Sequence, residues 1–80
     1  MPAVLRVRGY RFFFFSLEGR EPLHIHVANA ERYAKFWLEP VSVADVRGFR
    51  ANEMTAIRQI VIENAQLFLE KWYEYFGGEN

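Results

Sequence analysis

The sequence predicts an α+β fold: a small, mostly antiparallel sheet of four or five strands with one long C-terminal helix packed on one face. Three observations predict it. Apolar and polar residues alternate through the first half of the chain, turns containing Gly or Pro punctuate that half, and from about residue 52 the apolar period lengthens to that of a helix. The 80 residues are 51% hydrophobic and 18% aromatic, which reads as a single domain over residues 1–80 and excludes a disordered chain.

Each element has a local reason. Ala3 to Val7 is apolar and β-branched and ends at Gly9, while Arg11 to Ser16 holds four consecutive phenylalanines, Phe12 to Phe15. A turn at Arg8-Gly9-Tyr10 joins these two strands. Four rings in a row place aromatics on both faces, so one pair enters the core and the other meets something else. Phe12 and Phe14 are the pair assigned here to an interface with a partner; base stacking is the alternative use of the outward pair.

Glu18-Gly19-Arg20-Glu21-Pro22 has turn chemistry, and Pro22 keeps the residue before it out of helical conformation. The chain re-enters the sheet at Leu23, with His24 to Val27 as a strand. Ala28 to Arg32 reads as a loop, and Tyr33 to Leu38 alternates strictly before Pro40 ends it, so the two strands form a hairpin. Val41 to Val46 is a weaker strand, ended at Arg47-Gly48-Phe49.

From Asn52 to Phe76 the apolar residues Met54, Ile57, Val61, Phe68, Trp72 and Tyr75 recur at helical spacing. This predicts one helix over 52–76, capped by Asn52 with Glu53 at its positive end and stopped by Gly77-Gly78. Ile60, Ile62, Leu67, Leu69 and Phe76 lie off that stripe. The apolar arc is wider than one sheet face needs, which predicts a homodimer or a protein partner.

The chemistry-bearing residues gather on one strand pair. His24 and His26 are two apart in a strand and therefore share a face, opposite Ile25 and Val27. Matching the apolar faces of the hairpin places Tyr33, Lys35 and Trp37 beside them, and a loop of about four residues sets His24 opposite Lys35 and His26 opposite Tyr33. Such a wall reads in three ways: an acid and base pair with Lys35, Arg11 or Arg47 stabilising a pentavalent phosphate, a metal site needing Glu21 or Glu31 as a third ligand, or a polar strand face with no chemistry. The residues assigned to catalysis are His24, His26 and Lys35, and those assigned to binding are Tyr33, Trp37, Arg11 and Arg47. No metal or other cofactor is expected.

Charge and cysteine usage exclude further classes. The net charge is zero, but residues 1–50 carry eight Lys or Arg against five Asp or Glu, and residues 51–80 carry two against five. A basic sheet and an acidic helix follow, a polarity that steers a polyanion to the sheet or orients two copies. Without cysteine there is no disulfide, thiolate ligand or thiol nucleophile. No Gly-rich phosphate loop, Cys/His zinc spacing or serine elbow is present. No apolar stretch approaches the roughly 20 residues that span a bilayer, and the N-terminus lacks the pattern of a secretory signal, so a cytoplasmic location is expected and no membrane partner.

Several separated motifs occur together: Val4-Leu5-Arg6 followed by Gly9-Tyr10-Arg11-Phe12-Phe13-Phe14, Glu21-Pro22-Leu23-His24-Ile25-His26-Val27, Ala34-Lys35-Phe36-Trp37-Leu38-Glu39-Pro40-Val41, Arg47-Gly48-Phe49, and Trp72-Tyr73-Glu74-Tyr75-Phe76-Gly77. In this order they resemble a family of small bacterial proteins, a domain of unknown function with a Pro-His-Ile-His-Val signature, in which Leu23 here replaces the proline. Arg50 stands where a serine would complete a capping box with Glu53. The resemblance implies a compact α+β domain of the bacterial cytoplasm, encoded beside a second small protein in a toxin-antitoxin-like pair. The function expected on this basis is that of an interaction component, binding a protein partner, with RNA as a further ligand. The alternative is a metal-independent ribonuclease toxin using His24 and His26 as acid and base, and whether the chain is an enzyme stays open.

Overall fold

Three of the four connections between strands are two-residue turns, and this brevity fixes the sheet. The computed structural model describes residues 3–15 and 21–77. Its elements are β1 (Ala3–Val7), β2 (Tyr10–Phe13), β3 (His24–Asn29), β4 (Arg32–Leu38), β5 (Val41–Arg47), α1 (Ala51–Glu63) and α2 (Ala65–Phe76). The strands form one antiparallel sheet in the order β1-β2-β3-β4-β5. The molecule is therefore α+β as expected, with five strands.

The turn Arg8-Gly9 joins Val7 to its partner Tyr10 with positive φ at both residues, 55° and 85°, the backbone that a two-residue hairpin of matching twist requires. Ala30-Glu31 closes β3 onto β4, pairing Asn29 with Arg32, and Ala30 takes φ 55°. The expected four-residue loop is thus two residues long. The register moves accordingly: His24 lies opposite Trp37 and His26 opposite Lys35. A shift of two residues leaves every side chain on the expected face, because the strand period is two.

One sheet face carries Phe12, Ile25, Val27, Ala34, Phe36 and Leu38, all buried against Ile57, Ile60, Val61, Phe68 and Trp72 of the helices. Phe12 stacks on Phe68 at 5.4 Å between ring centres. Phe14, just past the end of β2, is enclosed by Trp72, Tyr75 and Phe76 at 5.4, 6.0 and 5.9 Å. Each such ring removed from water contributes about 1.5–3 kcal/mol. Phe12 and Phe14 are 0% exposed, which corrects their assignment to an interface: they fill the core of this chain, and the outward pair is Phe13 and Phe15. The expected strand Arg11–Ser16 ends at Phe13; its residue Ser16, and Glu18-Gly19-Arg20 of the following turn, lie outside the described residues.

The single helix expected over 52–76 is two helices that meet at Asn64. There the backbone takes φ −115° and ψ 14°, and the side-chain Nδ2 donates to the Ile60 carbonyl at 2.9 Å. An asparagine that offers its amide to the preceding turn shares the Ile60 carbonyl with its own backbone N–H, and the regular helix is interrupted at that residue. Ile60, expected off the main stripe, is buried, and Tyr75, expected on it, is exposed. The first helix starts one residue before Asn52, with Arg50 as its N-cap. Glu53 Oε1 accepts the Arg50 backbone N–H at 3.0 Å. This is one half of a capping box; a guanidinium has no acceptor with which to complete the other.

Candidate functional site

The second sheet face gathers the residues that carry charge and aromatic surface. Strand pairing arranges them in transverse rows. Arg6, Arg11, Ala28, Tyr33 and Arg47 form one row across β1 to β5, and Phe13, His26, Lys35 and Asp45 form the next across β2 to β5. His24, Trp37 and Ser42 follow. Alternation thus places His24, His26, Tyr33, Lys35 and Trp37 together, as the spacing in the sequence implies.

The two imidazoles do share a face, with ring centres 5.0 Å apart, but they do not stand on an open wall. His24 is 0% and His26 2% exposed. His24 packs edge-on against Trp37 at 5.8 Å and against Trp72 of α2 at 5.0 Å. Trp72 touches Phe14 as well, so the end of α2 closes the end of the sheet where β3 begins. Nδ1 of His24 donates to the Pro22 carbonyl at 2.8 Å, which leaves that nitrogen protonated in either charge state. His26 stacks on Phe13 at 5.5 Å and on Tyr33 at 5.8 Å, lies 4.4 Å from the Phe15 ring, and shares a 2.8 Å hydrogen bond between Nδ1 and the Tyr33 hydroxyl. Rings enclosed in this way are held by their neighbours, and a phosphodiester reaches neither without displacing them.

Lys35 is likewise engaged. Its Nζ donates to Glu21 Oε1 at 2.8 Å and sits 4.7 Å above the Trp37 ring. The hydrogen bond from Lys35, then that ammonium's charge, holds the Glu21 carboxyl below its ordinary pKa; desolvation opposes the shift and the two imidazoles add least to it. Glu21, considered as a third metal ligand, is in this way committed to an ammonium. Among the described residues no group of three His, Cys, Asp or Glu is placed to hold a metal ion.

The residues nearer the β1-β2 end are more open. Arg11 is exposed, with its guanidinium carbon 5.1 Å above the Phe13 ring. Phe15 is 50% exposed and meets Phe13 edge-on at 5.3 Å. Arg47 is exposed and lies 3.2 Å from Asp45, an ion pair that water makes weak. Tyr33 and Trp37 are half-buried. Sequence reasoning singled out Arg11, Tyr33, Trp37 and Arg47 but missed Arg6, Phe13 and Phe15 as surface residues. The signal was available for Arg6, which alternates with Leu5 and Val7; for the phenylalanines it was not, because a uniform run carries no phase.

Chemically, the face offers cations for an anionic backbone and rings for planar groups, with the two histidines as buried supports beneath the rings. A family model described as a domain of unknown function (DUF4160) matches residues 9–73. No curated protein and no solved structure matches the chain.

Proposed function

The chain belongs to the DUF4160 family, a domain of unknown function, and from that premise we propose that it is a binding module whose open sheet face takes single-stranded RNA. One observation carries this reading. Both helices pack on one side of the sheet, while the other presents Arg6, Arg11, Phe13, Tyr33, Lys35, Trp37 and Arg47 in neighbouring rows, with Phe15 set edge-on against Phe13 beyond the end of β2. Sequence-tolerant binding of a single strand needs cations along the backbone and aromatic faces on which bases stack, each stacked base contributing about 1–3 kcal/mol. Burial of His24 and His26 supports binding over catalysis, and the ribonuclease reading is the weaker alternative on that ground.

The test is fluorescence anisotropy of a labelled single-stranded RNA titrated with the protein. Saturable binding is expected, weakening linearly in log salt with a slope near −0.7 per neutralised phosphate, and the same RNA recovered intact. Absence of binding at low salt contradicts the proposal.

A protein partner is favoured by a separate observation. Val43 and Val46 of the edge strand β5 are 47% and 43% exposed, on the side whose other strands the helices cover. In the two-gene, toxin-antitoxin-like setting that the sequence resemblance implies, this strip is where the second small protein, or a second copy in a homodimer, would dock. Co-expression with the product of the adjacent gene followed by gel filtration tests it: co-elution that Val43→Asp abolishes is expected, and independent elution contradicts it.

A further inference from the structure

Arg6 of β1 and Arg11 of β2 are partners in the antiparallel ladder, both exposed and on one face. Like charges directly opposite each other weaken a sheet. Among the described residues neither has a carboxylate partner, whereas Arg32, Lys35, Arg47 and Lys71 each have one. Among the described residues no carboxylate therefore compensates the repulsion across the ladder.

Beside this pair lies a shallow hollow of about 310 Å³, lined by Arg6, Gly9, Arg11, Ala28, Asn29 and Ala30, at the small end of the roughly 300–1,000 Å³ of ligand clefts. Among the described residues no acidic one lines it. Its shape is held by Asn29, whose Nδ2 donates to the Gly9 carbonyl at 3.1 Å and whose Oδ1 accepts from Arg32 Nη2 at 2.9 Å. A Cβ on Gly9 would lie 3.2 Å from that Asn29 nitrogen, so the β1-β2 turn approaches the end of β3 more closely than a side chain comfortably allows. Phe13 lies beneath the Arg11 guanidinium and orients its donors.

Resting on the reading of this face as an RNA surface, we infer that Arg6 and Arg11 form a phosphate clamp that holds one phosphodiester of the strand over the hollow. A phosphate between two guanidiniums accepts charge-assisted hydrogen bonds from both and turns their repulsion into attraction. The base beside it reaches Phe13 and Phe15, next along the same face. The shared chemistry is a phosphate anion; an RNA backbone is one source and a small phosphorylated molecule another.

The experiment follows backbone amide shifts of the full chain during separate titrations with inorganic phosphate and with a single-stranded RNA, for the wild type, Arg6→Thr, Arg11→Thr, and the control Arg58→Thr on α1. The clamp predicts saturable shifts at Gly9, Ala28 and Ala30 with RNA, lost in both clamp variants and kept in the control. It also predicts that either clamp variant flattens the salt slope of RNA binding by about 0.7 while its melting temperature stays level or rises, because the like-charge pair is gone. RNA binding that shifts only residues around Tyr33 and Trp37 overturns the clamp and leaves the RNA surface standing. Phosphate binding at the hollow without any RNA binding overturns the RNA surface and leaves an anion site for a small ligand. No shift at those amides with either probe overturns the clamp altogether.

Discussion

Arg32, the first residue of β4, is ion-paired through Nη1 to Glu53 in the first turn of α1, and its guanidinium carbon also lies 5.4 Å above the Phe49 ring. This tie crosses between the sheet and the helix layer. It ties the first turn of α1 to the start of β4, beside the face that Ala34, Phe36 and Leu38 bury under the helices.

The pair gives stability an acid dependence. The Arg50 backbone N–H bonded to Glu53 is the main cause that holds its carboxyl below the ordinary pKa; desolvation opposes the shift and the Arg32 guanidinium reinforces it. A lowered pKa in the folded state contributes stability that is complete above the unfolded glutamate value, about 4.3, and is lost as pH falls through the folded value. Glu53→Gln is expected to melt below the wild type at pH 7, with the difference between the two shrinking as pH falls from 7 through the ordinary glutamate value and below it. Calorimetry across that range checks it.

Gly48 holds φ +90°, and a Cβ there would lie 3.0 Å from Arg32 Cγ. Gly48→Ala is expected to lose about 1–3 kcal/mol through backbone strain, with a further loss as Arg32 is pushed from Glu53. Urea denaturation measures the sum, and an unchanged midpoint would contradict the packing described.

Phe12→Ala and Phe15→Ala separate the core-facing and outward-facing rings of the phenylalanine run, Phe12 within β2 and Phe15 just beyond its end. Phe12 is enclosed and stacked on Phe68, so its truncation is expected to cost about 3–5 kcal/mol. Phe15 makes exposed ring contacts and is expected to cost no more than about 1 kcal/mol while weakening RNA binding. Denaturation and anisotropy on the same two variants read both effects.

The histidines are expected to act through packing. His24→Ala removes a ring set between Trp37 and Trp72 and is expected to cost about 1–3 kcal/mol; Tyr33→Phe removes the hydroxyl bonded to His26 and is expected to cost about 0.5–1.5 kcal/mol. Incubation of the wild type with RNA is expected to yield no cleavage. Cleavage that is lost in both His24→Ala and His26→Ala would restore the catalytic reading.

Much of this arrangement is legible from residue periodicity. Alternation at Ile25, Val27, Ala34, Phe36 and Leu38 places the core, and the same alternation places both imidazoles on one face. Turn lengths were harder to read, because Arg8 and Ala30 adopt positive φ without being glycine or asparagine. The break at Asn64 was hidden by an apolar pattern that runs on through Phe68 and Trp72. Burial of the histidine wall is not legible locally: Trp72 arrives from a helix some fifty residues downstream, and nothing near His24 announces it.

The most direct test of the account compares RNA affinity between a variant of the open face, Arg11→Ala with Phe15→Ala, and a variant of the helical surface, Arg58→Ala with Tyr73→Ala, at two salt concentrations. The account predicts at least a tenfold loss of affinity and a flatter salt dependence for the first, and wild-type behaviour for the second. Equal affinities for both variants, or binding lost only in the helical one, would contradict it.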